Sequence, residues 1–117
     1  MVSTQIINAV RNYTDDALRA VKNAKNGRTD VLDIGGQIHT YFKNSKGSLR
    51  IIQDKADDFY NTRLALNSGD SFERYVTCRD GSFVQNANIN GAEIPLENLS
   101  AEFAEGIFKG LLKKLLG

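Results

Sequence analysis

The chain has 117 residues, 41% hydrophobic and 25% charged, the balance of one globular domain (1–117) rather than of a disordered segment. Fifteen Lys and Arg against fourteen Asp and Glu leave a net charge of +1, without the basic excess on which nucleic-acid binding rests. The single cysteine, Cys78, excludes an intrachain disulfide. No run approaches the roughly 18 apolar residues of a spanning helix. The start, "MVSTQIINAVRNYTDD", lacks the basic and apolar regions of a signal peptide, so the expected location is cytoplasmic.

Residues 4–26 carry the plainest helical signal. Ile6, Ile7, Val10, Tyr13, Ala17, Leu18, Val21 and Ala24 recur at three- and four-residue spacing and form one stripe at about 100° per residue. Ser3 or Thr4 can cap the start, and Gly27 can supply a left-handed stop. The next stretch, "TDVLDIGGQIHTYFKNSKG", admits two readings. Val31, Ile34, Ile38, Tyr41 and Phe42 fit a second helix capped by Thr29 or Asp30, although Gly35 and Gly36 each cost it about 1 kcal/mol relative to Ala. A Gly-Gly hairpin would instead set Leu32 opposite His39 and Val31 opposite Thr40, mixing polar and apolar residues on both sides of the ribbon. The helix keeps the apolar set together and is preferred.

From Ser48 the period is contested. A helix running to Gly69 would put Arg63 inside its apolar face and leave Ile51 outside it. Strands fit residues 59–66 better, because Tyr60, Thr62, Leu64 and Leu66 alternate with Asn61, Arg63 and Ala65. Residues 48–53 read as a less regular strand before them. A turn at Asn67-Ser68-Gly69-Asp70 leads to "SFERYVTC" and "SFVQNANI", joined at Arg79-Asp80-Gly81, and Asn90-Gly91 marks another hairpin. Turn signals near 55, 69, 80 and 90 have the spacing of an antiparallel meander. Pro95 ends it, and Ser100 can cap a last helix. The expected fold class is α+β: two N-terminal helices, an antiparallel β-meander of four to five strands and one C-terminal amphipathic helix.

Candidate chemistry is sparse. His39 and Cys78 are the only residues of their kinds, but a nucleophilic thiolate needs a lowered pKa, and Cys78 ends an alternating strand as a buried cysteine would. One Cys and one His make a poor zinc set. Asp54, Asp57 and Asp58 gather carboxylates without the ligand spacing of a calcium loop, and read as a solvated turn. The Gly residues of "DIGGQ" and "NSKGS" lack phosphate-loop spacing. No catalytic, metal or cofactor site is assigned. Arg50, Arg63, Arg74 and Arg79, with Phe59, Tyr60, Phe72, Tyr75 and Phe83, have the composition of a nucleic-acid platform. Alternation favours aromatics inward and arginines outward, and nucleic acid is not the expected partner.

In the last helix Phe103, Ala104, Ile107, Phe108, Leu111, Leu112, Leu115 and Leu116 cover an arc of about 220°, wider than packing on one sheet uses. Glu102 and Glu105 at its start and Lys109, Lys113 and Lys114 towards its end complement the helix dipole, as in a structural helix. The surplus apolar arc makes Phe103, Ile107, Phe108, Leu111, Leu112, Leu115 and Leu116 the candidate partner interface. The resulting expectation is a non-enzymatic protein-binding module of the inhibitor, immunity, chaperone or assembly type, forming a homo-oligomer. The alternatives are a ligand-binding or enzymatic domain with a pocket between sheet and helices, reached through His39, Tyr41, Tyr60 and Cys78, and a membrane-surface protein acting through the last helix.

Overall fold

The computed structural model describes residues 2–54, 56–79, 81–95 and 98–117. The predicted apolar stripe lies along α1 (Val2–Asn23), with Ile6, Ile7, Val10, Tyr13, Ala17 and Val21 buried. Ser3 and Thr4 fall inside this helix rather than at its cap. Gly27 does not stop α1 but opens β1 (Gly27–Ile34), where a side chain would collide with the Phe42 ring on the next strand.

The second N-terminal helix is replaced by the Gly-Gly hairpin. β1 pairs with β2 (Gln37–Asn44), setting Leu32 opposite His39 and Val31 opposite Thr40. Gly35 and Gly36 both have positive φ, +59° and +87°, as the two central residues of a tight hairpin turn with right-handed strand twist require. The mixed pairs that spoke against this hairpin are present because β1 is an edge strand: seven of its eight residues are exposed. With no covering layer, it has no need of an inside and an outside.

The chain continues through β3 (Gly47–Asp54), β4 (Phe59–Leu66), β5 (Ser71–Arg79), β6 (Ser82–Ile89) and the two-residue β7 (Ala92–Glu93) to α2 (Ala101–Leu116). Among the described residues the sheet has seven strands in the order β1 to β7, each antiparallel to its chain neighbour, where four to five were expected. β1, β2 and the short β7 account for the excess. The protein is α+β, with a helix at each end of an antiparallel meander.

Turn chemistry fixes the corners. Gly69 has φ +107° in the β4–β5 turn, and the Asn67 side chain donates to the Ser45 carbonyl at 2.8 Å, tying that turn to the one before β3. Asn90 and Gly91 both have positive φ, as their hairpin requires. The predicted Arg79-Asp80-Gly81 turn lies partly outside the described residues, but β5 and β6 pair on either side of it.

Both helices pack on one face of the sheet. Phe42, Leu49, Ile51, Tyr60, Leu64, Phe72 and Val76 rise from the strands to meet α1 and α2 in a single buried cluster. Phe108 of α2 sits at its middle, 5.3 Å from the Tyr13 ring and 5.8 Å from the Phe72 ring. Ser100 caps α2 as expected, its Oγ accepting from the Phe103 N–H at 3.1 Å. Among the described residues no helix is long and apolar enough to cross a membrane.

Candidate functional site

The face turned away from the helices is left open. Strand alternation and the pairing register place Arg28, Asp30, Leu32 and Ile34 of β1 on it, beside Gln37, His39, Tyr41 and Lys43 of β2. Ser48, Arg50, Ile52 and Asp54 of β3 follow, then Phe59, Asn61, Arg63 and Ala65 of β4, then Glu73, Tyr75 and Arg79 of β5. Phe59 and Tyr75 meet edge to face at 5.3 Å. The His39 ring lies over Tyr41, with Nδ1 3.2 Å from the Tyr41 hydroxyl.

A depression of about 620 Å³ lies here, bounded by Arg28, Asp30, Tyr41, Lys43, Arg50 and Arg63 with Ser48 and Ala65 between them. Arg50 and Arg63 are direct cross-strand partners, and so are Ser48 and Ala65. Arg50 donates to Asn61 Oδ1 at 3.1 Å and lies 3.8 Å from Glu73, while its Nε is buried without a partner. Arg28 pairs with Asp30 at 3.3 Å. Lys43 and Arg63 make no ion pair among the described residues.

The four pocket candidates do not converge. His39 and Tyr41 are on the open face; Tyr60 and Cys78 are on the helix-covered face, so the sheet itself separates His39 from Cys78. Of the four, Tyr41 alone borders the depression. The space between sheet and helices, where a pocket was the alternative expectation, is occupied by the core cluster. Asp54, Asp57 and Asp58 form no metal-ligand group among the described residues; Asp58, at φ +48°, pairs with Arg11 of α1.

The candidate interface on α2 divides. Phe108 and Leu115 are fully buried in the protein's own core and are not free for a partner. Ile107, Leu111, Leu112 and Leu116 are half-buried against it, and Phe103 is 44% exposed. The wide apolar arc is consumed largely within the chain, because α1 covers one flank of α2 while the sheet covers another.

The arginine–aromatic alternation is also revised. Tyr75 points outward and Arg74 inward, sharing the buried side with Phe72 two residues before it. Arg74 is 1% exposed and donates to Gln85 Oε1 at 2.9 Å, while its Nε and Nη1 have no partner among the described residues. Burial pushes the neighbouring Tyr13 hydroxyl above its ordinary pKa of 10.0, and the Arg74 charge pulls it part of the way back. That hydroxyl lies beside the guanidinium but outside hydrogen-bond geometry.

Compared with models of protein families, with curated proteins and with solved structures, the chain has no significant match.

Proposed function

We propose that the chain is a non-enzymatic protein-binding module that associates with a second copy of itself through the free edge of β1. The observation that carries this reading is the exposure of Val31, Leu32 and Ile34, at 53%, 51% and 53%. Val31 projects on the helix side of the sheet, Leu32 and Ile34 on the open side. Apolar residues on both sides of an edge strand are covered together when another strand continues the sheet.

The edge is built for such addition. β1 is eight residues long and contains no Pro, and its pairing with β2 runs without a bulge from Gly27 to Ile34. Its outer backbone N–H and C=O groups therefore form a regular row, the template by which strands add to sheets. Two copies of β1 meeting antiparallel about a two-fold axis would satisfy both rows with one surface, the self-complementary arrangement common among homodimers. Arg28, Asp30 and Asp33 limit indiscriminate pairing by leaving charges for a mismatched strand to bury.

Size-exclusion chromatography with light scattering, run over a range of concentrations, tests this. The full chain is expected to dimerise, and a Leu32→Lys, Ile34→Lys variant to elute as a monomer of unchanged circular dichroism. Hydrogen exchange adds a local readout: β1 amides facing away from β2 gain protection as concentration rises. A chain monomeric at every concentration, or a double variant that dimerises as well as the parent, overturns the proposal.

A further inference from the structure

We infer that the depression on the open sheet face is a binding site for a phosphate monoester carried on a flat ring, a ligand of mononucleotide size. The inference is separate from the β1 edge, since edge-to-edge pairing extends the sheet without covering this face.

The charge arrangement points first to an anion. The chain as a whole is nearly neutral, at +1, yet Arg28, Lys43, Arg50 and Arg63 surround the depression with Asp30 as the one carboxylate among its lining residues. Arg50 and Arg63 stand directly opposite each other on β3 and β4. Like charges in that position repel, and their Cβ atoms are separated by only about 5 Å. Glu73, directly opposite Arg63 on β5, lies 3.8 Å from Arg50, and Asp30 is engaged by Arg28. Among the described residues neither Arg63 nor Lys43 makes an ion pair, although Glu73 is the cross-strand partner of Arg63, and the buried Nε of Arg50 is a donor with no acceptor. An anion between the two guanidiniums removes the repulsion and supplies that acceptor. Two neighbouring planar forks match the several oxygens of a phosphate better than the two of a carboxylate.

The shape specifies the rest. Two adjoining rows run across the strands: Arg28, Lys43, Ser48 and Ala65 in one, Asp30, Tyr41, Arg50 and Arg63 in the other. The small Ser48 and Ala65 side chains make the floor low where the long cationic ones make a wall, and the Ser48 hydroxyl offers a further donor. The volume, about 620 Å³, is that of a small-molecule site. Tyr41, 38% exposed, stands in the row with the arginines and puts an aromatic ring at the rim. A planar ring stacks on such a surface irrespective of its identity.

Three probes titrated into the full chain at low salt, by calorimetry and by amide chemical shifts, test the site: inorganic phosphate, adenosine monophosphate and a single-stranded oligonucleotide. Phosphate and the mononucleotide are expected to shift the same β2–β4 amides, the mononucleotide binding more tightly. Arg63→Gln weakens both by about tenfold or more, the scale of a lost charge-assisted contact. Its own melting temperature, unchanged or raised because the Arg50–Arg63 repulsion is gone, shows that the variant is folded. Tyr41→Leu weakens the mononucleotide and leaves phosphate unchanged. Arg79→Gln, on the same face but about 20 Å along β5 from Glu73, weakens neither. No saturable binding of phosphate or mononucleotide overturns the inference, as does binding that survives Arg63→Gln. An oligonucleotide that binds more tightly than the mononucleotide and loses affinity with Arg79→Gln overturns it in favour of an extended nucleic-acid surface.

Discussion

Along β4, Tyr60, Thr62, Leu64 and Leu66 face the helices and are buried, whereas Phe59, Asn61, Arg63 and Ala65, interleaved with them, face away. The covered face carries an arginine where simple patterning would not, and the open face sets two arginines directly opposite each other. On the covered face Arg74 is enclosed beside Tyr13 and Gln85 with two of its nitrogens unpaired among the described residues; on the open face Arg50 and the exposed Arg63 are set against each other. The physical consequences differ. A desolvated cation is costly wherever partners are missing, while a solvated like-charged pair is screened and costs little. Stability is therefore decided on one side of the sheet, and the other side is free to carry charge for recognition.

The largest break in this contrast comes from Phe108→Ala. It empties the centre of the covered face, between Tyr13 and Phe72, and is expected to cost about 3–5 kcal/mol in chemical denaturation. Val84→Ala, half exposed on the open face, is expected to cost well under about 1 kcal/mol in the same measurement.

Next in size is the buried cation. Gln85→Leu removes the only acceptor that Arg74 has among the described residues and should cost about 2 kcal/mol, the penalty of a charged group left unpaired. Arg74→Met should be neutral or stabilising, since an apolar side chain of similar length needs no partner there. The Gln85→Leu, Arg74→Met double variant should then recover most of the loss; if it does not, Gln85 acts through packing and not through Arg74.

The smallest effect is on pH dependence. Burial holds Tyr13 protonated above its ordinary 10.0, with Tyr60 shifted the same way, so the unfolded chain releases these protons first. The contribution of each neutral hydroxyl is complete below about pH 10 and is lost as the pH rises through the raised folded value. Denaturation midpoints followed from pH 8 upward should fall less steeply for Tyr13→Phe than for the parent chain. An equal slope would mean that Tyr13 does not ionise differently in the two states.

What the sequence disclosed follows the same division. α1 was legible because all its apolar positions serve one buried side, and β4, β5 and β6 because alternation and strong turns agree there. β1 and β2 were misread as helix: outside the helices' cover, Val31, Leu32 and Ile34 have no reason to alternate, and their spacing with Ile38, Tyr41 and Phe42 imitates a helical stripe. β3 was faint because Ile52 faces out and Gln53 in. The wide arc of α2 was visible, but not that α1, some eighty residues earlier in the chain, returns to cover it. The basic depression depends on which strands are neighbours. Arg50 opposite Arg63 can be found only from the β3–β4 register, and the turn at residues 56–58 would have supplied it had residues 48–53 been paired with 59–66.

The meander also orders events during synthesis. Every strand pairs with its immediate predecessor, so the sheet can grow hairpin by hairpin as the chain emerges, with short loops to close at each step. Phe72 and its neighbours then wait for a lid that is encoded after all of these strands. α2 brings Phe108 and Leu115 to them, and the carbonyls of Leu115 and Leu116 are fastened by the Asn44 and Asn26 side chains. Until those residues have left the ribosome, the nascent sheet presents part of its apolar face uncovered, the interval in which a chaperone or a neighbouring chain competes for it.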